Sequence, residues 1–180
     1  MIGVGGANYY AHTAGLSFNT RDRDLFLPPD PENLLRAWTA CEAAGLELTV
    51  SKEPLDRPRD LWLAERIVGL RALTRAGDGI DLEVDLTLVM AGFEFEAAWR
   101  EHRVFEVEGV PLHVARLLHI VESKSKAGRP KDHLFLETHR EEALLGHQPF
   151  RGGQQCGSAI RLLPAAAGWR LGHDPSGKHV

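Results

Sequence analysis

The stretch Gly79–Met90, GIDLEVDLTLVM, constrains the fold more than any other part of the chain. Ile80, Leu82, Val84, Leu86, Leu88 and Met90 alternate with Asp81, Glu83, Asp85, Thr87 and Val89. Neighbouring side chains of a strand point to opposite faces. The pattern therefore predicts a strand with one apolar face and one face carrying three acids. A solvated face of an antiparallel sheet explains such acids without any function. Asp85 is the exception. It sits near the middle of the stretch, between Val84 and Leu86, where a solvated carboxylate is less expected, so it is preferred to Asp81 and Glu83 as a functional acid.

A second acidic strand is expected earlier. The stretch Leu16–Leu27, LSFNTRDRDLFL, places Asp22 and Asp24 two residues apart at the head of an apolar run. If Thr20–Leu27 is a strand, both carboxylates share one face about 7 Å apart, with Leu25 and Leu27 on the other. Two ionised carboxylates that close repel, and a site that keeps them together holds a divalent cation or shares a proton. The plain alternative is a polar strand edge or a charged turn. Arg23, between the two, is aimed by the same alternation toward the core side.

The rest of the chain alternates between strand and helix signals. Ile2 and Val4 lead into Gly5-Gly6, a strand running into a tight turn. Glycines there allow close approach of a ligand to backbone amides, and a short helix after them would suit an anion such as phosphate; an ordinary turn is the alternative. This strand opens with the first residues, and nothing before it is expected to cover that edge of the sheet. Asp30, Pro31, Leu34, Leu35, Trp38, Cys41 and Gly45 mark a capped helix. Leu46–Ser51 reads as a strand, Pro54–Asp60 as a loop, Leu61–Ala76 as a helix and Phe93–His102 as another. Val104–Val107 and Val110–Val114 read as a hairpin turning at Glu108-Gly109. Leu117–Lys126 is a helix stopped by Ala127-Gly128, and a second helix runs from Pro130 to Leu145. Their junction gathers Lys124, Lys126, Arg129 and Lys131. Basic residues complement a helix C-terminus; a triphosphate-binding cluster is the functional alternative.

Composition narrows the class. A length of 180 residues fits one domain, residues 1–147, with a flexible or loosely docked tail expected over 148–180, where periodicity gives way to Gly and Pro. A net charge of −4 argues against non-specific DNA binding. Cys41 and Cys156 lack ligand-like spacing, which argues against a zinc cluster or a disulfide scaffold. Neither a bilayer-spanning run nor a signal-peptide pattern is present, so a cytoplasmic location is expected.

Together these pieces resemble the nucleotidyltransferase superfamily, the polymerase-β-like fold. Within it they resemble the small bacterial proteins related to minimal nucleotidyltransferases and AbiEii-type toxins. The resemblance rests on Gly5-Gly6 after a strand, on Thr20-Arg21-Asp22-Arg23-Asp24, on Val84-Asp85-Leu86, and on KSKAGRPKD over residues 124–132. It spans about residues 2–145. It implies an α+β fold: a mixed, twisted sheet with flanking helices and a C-terminal helical pair.

The resemblance also implies Mg²⁺-dependent transfer of a nucleoside monophosphate from a nucleoside triphosphate (NTP) to an acceptor, with release of pyrophosphate. Asp22, Asp24 and Asp85 would be the catalytic and metal-binding acids of a two-metal site. Gly5, Gly6, Thr20, Lys124 and Arg129 would bind the nucleotide, Lys124 being the first choice for neutralising phosphate charge. The acceptor stays open among RNA, protein and a small molecule. A catalytically degenerate copy, acting as a binding component of a toxin–antitoxin pair with an antitoxin partner, is the other reading.

Overall fold

The computed structural model describes residues 1–3, 23–107, 109–133 and 136–137. Among them, eight strands form one mixed sheet: β1 (Ile2–Gly3), β2 (Arg23–Phe26), β3 (Glu47–Val50), β4 (Glu53–Pro54), β5 (Thr74–Gly77), β6 (Glu83–Thr87), β7 (Arg103–Val107) and β8 (Val110–Val114). The order across the sheet is β4-β3-β5-β6-β2-β1-β8-β7. β2 runs parallel to β6 and β1 parallel to β8; the other neighbours are antiparallel. Four helices interleave with the strands: α1 (Pro31–Ala43), α2 (Leu61–Gly69), α3 (Phe95–Arg100) and α4 (Leu117–Ala127). The architecture is mixed α+β, as expected.

Both faces of the sheet carry a core. On one, Leu48, Ala76, Val84 and Leu86 pack against Leu34, Ala37, Trp38 and Cys41 of α1 and against Ala64 and Ile67 of α2. The α1 helix forms where its caps predict: Asp30 accepts the Glu32 N–H at 3.1 Å and Pro31 fills the first turn. Trp38 is fully buried, and its Nε1 donates to the buried Thr74 Oγ1 at 3.1 Å, tying α1 to β5. On the other face, Phe26, Met90 and Val114 pack against Phe95 and Ala98 of α3 and against Ile120 and Val121 of α4. Phe26 and Phe95 meet edge to face at 5.4 Å.

Several expectations need correction. The helix expected over Leu61–Ala76 stops at Gly69, Arg71 takes a left-handed φ of 50°, and Thr74–Gly77 is a central strand. Its residues TRAG carry little strand propensity; pairing with β3 and β6 on both sides makes it a strand. The strand expected over Gly79–Met90 is confined to Glu83–Thr87. Before it, the Asp78 carboxylate accepts the N–H groups of Ile80, Asp81 and Leu82 at 2.9–3.1 Å, so Asp81 lies in a turn and Ile80 is 88% exposed. The first strand is not an edge: β1 lies between β2 and β8.

The late junction also differs in detail. α4 ends on Gly128 in the left-handed conformation, which a glycine accepts without a Cβ clash. Pro130–Asp132 is a 3₁₀ turn, and residues 133, 136 and 137 are helical. The remainder of the expected 130–145 helix, the 148–180 tail and the turn at Gly5-Gly6 lie outside the described residues. No helix among the described residues is long and apolar enough to cross a membrane.

Candidate functional site

The site is built by strand register. In the parallel β2–β6 pair, Asp24 is the partner of Asp85. In the antiparallel β5–β6 pair, Asp85 is the partner of Arg75, and in β3–β5 Arg75 is the partner of Thr49. Paired residues point to the same side of a sheet, on strands about 4.8 Å apart. Thr49, Arg75, Asp85 and Asp24 therefore form one transverse polar row. The residues flanking each of them, Leu48, Ala76, Val84 and Leu25, belong to the core on the opposite face.

Arg75 holds Asp85 with two parallel bonds: Nε donates to Oδ1 at 2.6 Å and Nη2 to Oδ2 at 3.1 Å. Its Nη1 reaches Glu83 Oε2 at 3.3 Å. The Asp85 side chain is only 16% exposed, against 60% for Glu83 and 39% for Arg75. The fork on Asp85 is the strong interaction, and the Glu83 contact is a solvated one.

One pleat further along the same face lie Phe26 and Thr87, partners of each other. Phe26 joins the core under α4, so α4 covers the side of the sheet that carries Asp24 and Asp85. Lys124 follows Ile120 by four residues and Val121 by three, which places it on the sheet-facing side of that helix. Asp132, after the chain reverses at Gly128, accepts Lys124 Nζ at 2.6 Å and Arg129 Nε at 2.9 Å. Burial alone would raise the Asp132 carboxyl. The Lys124 and Arg129 bonds and charges outweigh that and hold it below its usual range.

Of the sequence-predicted residues, Asp24 and Asp85 are brought side by side, and Lys124 lies on the same side of the sheet. Arg129 is turned toward Asp132. Asp22, Gly5, Gly6 and Thr20 lie outside the described residues; Gly3, two residues before Gly5, pairs with Leu25, one residue beyond Asp24. Arg23 pairs with Val84, on the core side, as alternation predicts.

Sequence reasoning missed Arg75, because its segment read as the tail of a helix. It also gave no role to Asp132. The spacing of Lys124, Arg129 and Asp132 around the Gly128 stop was the available signal: it returns an acid to two bases across one tight reversal.

The donor chemistry fits a hard cation. Asp24 and Asp85 carry carboxylates on adjacent strands, that of Asp85 held by Arg75, and Mg²⁺ needs only one or two protein carboxylates when phosphate oxygens and water complete its shell. Among the described residues, no group of three or more His, Cys, Asp or Glu is placed to hold a metal by itself.

The histidines of this half are packing residues. His113 Nδ1 lies 2.8 Å from His102 Nε2, and the two rings stand against Trp99. His119 is buried against Phe93 at 4.6 Å between ring centroids. Burial holds both His113 and His119 below the ordinary imidazole value. The charge of His102 adds to this at His113, while Glu101 opposes it at His119.

A cleft of about 400 Å³ opens beyond the C-terminal ends of β2 and β6, lined by Phe26, Pro29, Arg71 and the loop of residues 88–95. It does not include Asp24 or Asp85. No model of a known protein family matches this chain, and neither a curated protein nor a solved structure matches it.

Proposed function

We propose that the chain is a Mg²⁺-dependent nucleotidyltransferase, moving a nucleoside monophosphate from an NTP to a hydroxyl acceptor. The observation that carries this reading is the in-register pairing of Asp24 with Asp85 on adjacent parallel strands. Two ionised carboxylates side by side repel; Arg75 relieves this at Asp85, and a divalent cation on phosphate oxygens is the partner that would engage both acids. Mg²⁺, when bound, supplies charge neutralisation and Lewis-acid polarisation of the phosphates.

The chain's own residues then have distinct tasks. Asp24 and Asp85 hold the metal–triphosphate, and Asp85 also orients the acceptor hydroxyl and takes up its proton. Asp22 completes the acidic set in this reading, and Gly5, Gly6 and Thr20 meet the phosphates. Lys124 faces the same side of the sheet, steadied by Asp132, and offsets negative charge as pyrophosphate departs. Arg129 serves mainly to fix Asp132. The reaction is largely positioning and charge stabilisation, so no Ser or Cys nucleophile is required.

One observation favours a second reading. Both Asp85 oxygens already accept bonds from Arg75, which suits a catalytically silent fold serving as the binding component of a toxin–antitoxin pair.

The test is transfer of label from each α-³²P NTP with Mg²⁺ to the RNA, protein and small molecules of a cell lysate. The wild-type chain is compared with Asp24→Asn and Asp85→Asn, each checked for folding by circular dichroism. Transfer is expected to fall at least about 100-fold in each variant, the loss typical of removing a charge-stabilising group. Transfer that survives both substitutions removes this site from the chemistry. No transfer under any condition favours the second reading, and Mg²⁺-dependent nucleotide binding argues against it.

A further inference from the structure

We propose that Arg75 is a phosphate-binding residue whose guanidinium moves from Asp85 to the triphosphate, so that the acidic pair opens to a divalent cation when nucleotide arrives. The inference rests on the nucleotidyltransferase reading of the same site and adds to it a nucleotide-gated order of binding.

Three observations lead to it. First, position: Arg75 is the register partner of Asp85, and Asp85 of Asp24, so the guanidinium sits in the same transverse row as the acids. Second, occupancy: Nε and Nη2 take one oxygen each of Asp85, at 2.6 and 3.1 Å. A cation seeking Asp85 meets a positive charge already bound to both of its oxygens. Third, access: the Arg75 side chain is 39% exposed, and its third bond goes to a Glu83 that is 60% exposed. The head group remains reachable from solvent.

The chemistry of the fork supplies the exchange. A guanidinium presents parallel N–H donors that match a carboxylate and a phosphate equally well. Arg75 stands among the acids Asp85, Glu83 and Asp24 on this face. Before nucleotide binds, Arg75 relieves repulsion among these acids and competes with a metal ion. A triphosphate brings up to four negative charges together with its metal. The guanidinium then leaves Asp85 for the phosphate oxygens, and the released Asp85 carboxylate would hold the metal with Asp24. No covalent bond changes in this step.

The exchange has a signature that a purely structural clamp lacks. Removing the guanidinium must strengthen metal binding in the absence of nucleotide and weaken nucleotide binding in the presence of metal. The experiment titrates the chain with Mn²⁺, reading free Mn²⁺ by electron paramagnetic resonance, with and without an α,β-methylene NTP.

Arg75→Gln is expected to bind Mn²⁺ alone about 3- to 10-fold more tightly and the nucleotide analogue about 10-fold more weakly, the scale of one charge-assisted contact. Arg75→Lys keeps the charge and loses the fork, so Mn²⁺ affinity is expected to stay near wild type while analogue affinity falls. If Arg75→Gln weakens both, or changes neither, the exchange is overturned. Should Arg75→Gln fail to fold, analogue affinity unchanged in Arg75→Lys overturns it as well. Asp24→Asn and Asp85→Asn separate the two levels of argument. Mn²⁺ binding indifferent to both acids defeats the nucleotidyltransferase reading itself. Binding lost in both, with Arg75 variants at wild-type values, defeats only the exchange.

Discussion

The two faces of the sheet come from the same strands and have opposite chemistry. Toward α1 and α2, β3, β5 and β6 present Leu48, Ala76, Val84 and Leu86, all nearly inaccessible to water. Toward the other side, the residues between them are Thr49, Arg75 and Asp85, with Asp24 next on β2. There, α3 and α4 cover the Phe26, Met90 and Val114 region, and the polar row carries side chains that are still partly exposed. One face is finished by packing and by the buried Trp38–Thr74 bond. The other is half packed and half charged, and the charged half shows why a strand alternates so strictly: the dry face fixes where the ionic one points. Arg23 illustrates the rule from the opposite direction. Register aims it at the core side, where it is half-buried beside Val84; a long side chain there lays its stem on apolar surface and keeps its head in water.

The largest test breaks the dry face. Trp38→Ala empties a fully buried site and removes the donor to Thr74 Oγ1. The loss expected in urea unfolding is about 3–5 kcal/mol. Because both faces share strands, near-UV circular dichroism and intrinsic fluorescence should still report a single transition. Two separate transitions would mean that the faces are energetically independent and that the comparison above is too tight.

A smaller effect is expected from Asp132→Asn, which removes the shared partner of Lys124 and Arg129 on the charged side. Breaking a buried pair costs about 3–5 kcal/mol; with Lys124 partly exposed and Arg129 more so, about 2 kcal/mol is the expectation. The sign with pH follows from the depressed carboxyl. The unfolded state holds its proton more tightly than the folded one, so the stabilisation is fully present above the ordinary value of 3.8 and is lost as pH falls through the lower folded value. The wild-type advantage over Asp132→Asn should therefore be complete at pH 7 and shrink below about pH 4, which urea midpoints at the two pH values would measure. An advantage independent of pH would leave Asp132 a packing residue only.

The smallest effect concerns His113 and His119. Their imidazoles are held below 6.5 chiefly by burial, so the unfolded state binds protons first as pH falls. Stability should decline as pH drops below about 6.5 and through the folded values. His113→Gln combined with His119→Gln should flatten that decline, whereas Trp38→Ala should leave its slope unchanged, as thermal melts across that range would show.

The parts legible in the sequence were those written in local chemistry. The Asp30 cap, Pro31 and the apolar stripe ending in Gly45 announced α1, and Gly128 announced the end of α4. Asp85 stood out because an acid between Val84 and Leu86 conflicts with a bland strand edge, and strand register sets it beside Asp24. The parts that stayed hidden depend on partners far along the chain. TRAG over Thr74–Gly77 has neither a β-branched run nor a turn signal ahead of it; only its neighbours β3 and β6 make it a strand. Missing that strand meant missing Arg75. Ile80 misled in the other direction: it kept the alternation going while its backbone belonged to the Asp78 turn.

The Trp38–Thr74 bond has a meaning beyond stability. Thr74 and Arg75 are adjacent, so they point oppositely. A strand displaced by one residue reverses parity along its whole length: Arg75 would face Trp38, and Thr74 would face Asp85. The indole N–H recognises a hydroxyl at one position only, and only the correct parity puts it there. This single buried bond proofreads β5, and through it a tryptophan in the driest part of the molecule decides on which side of the sheet a guanidinium meets its carboxylate.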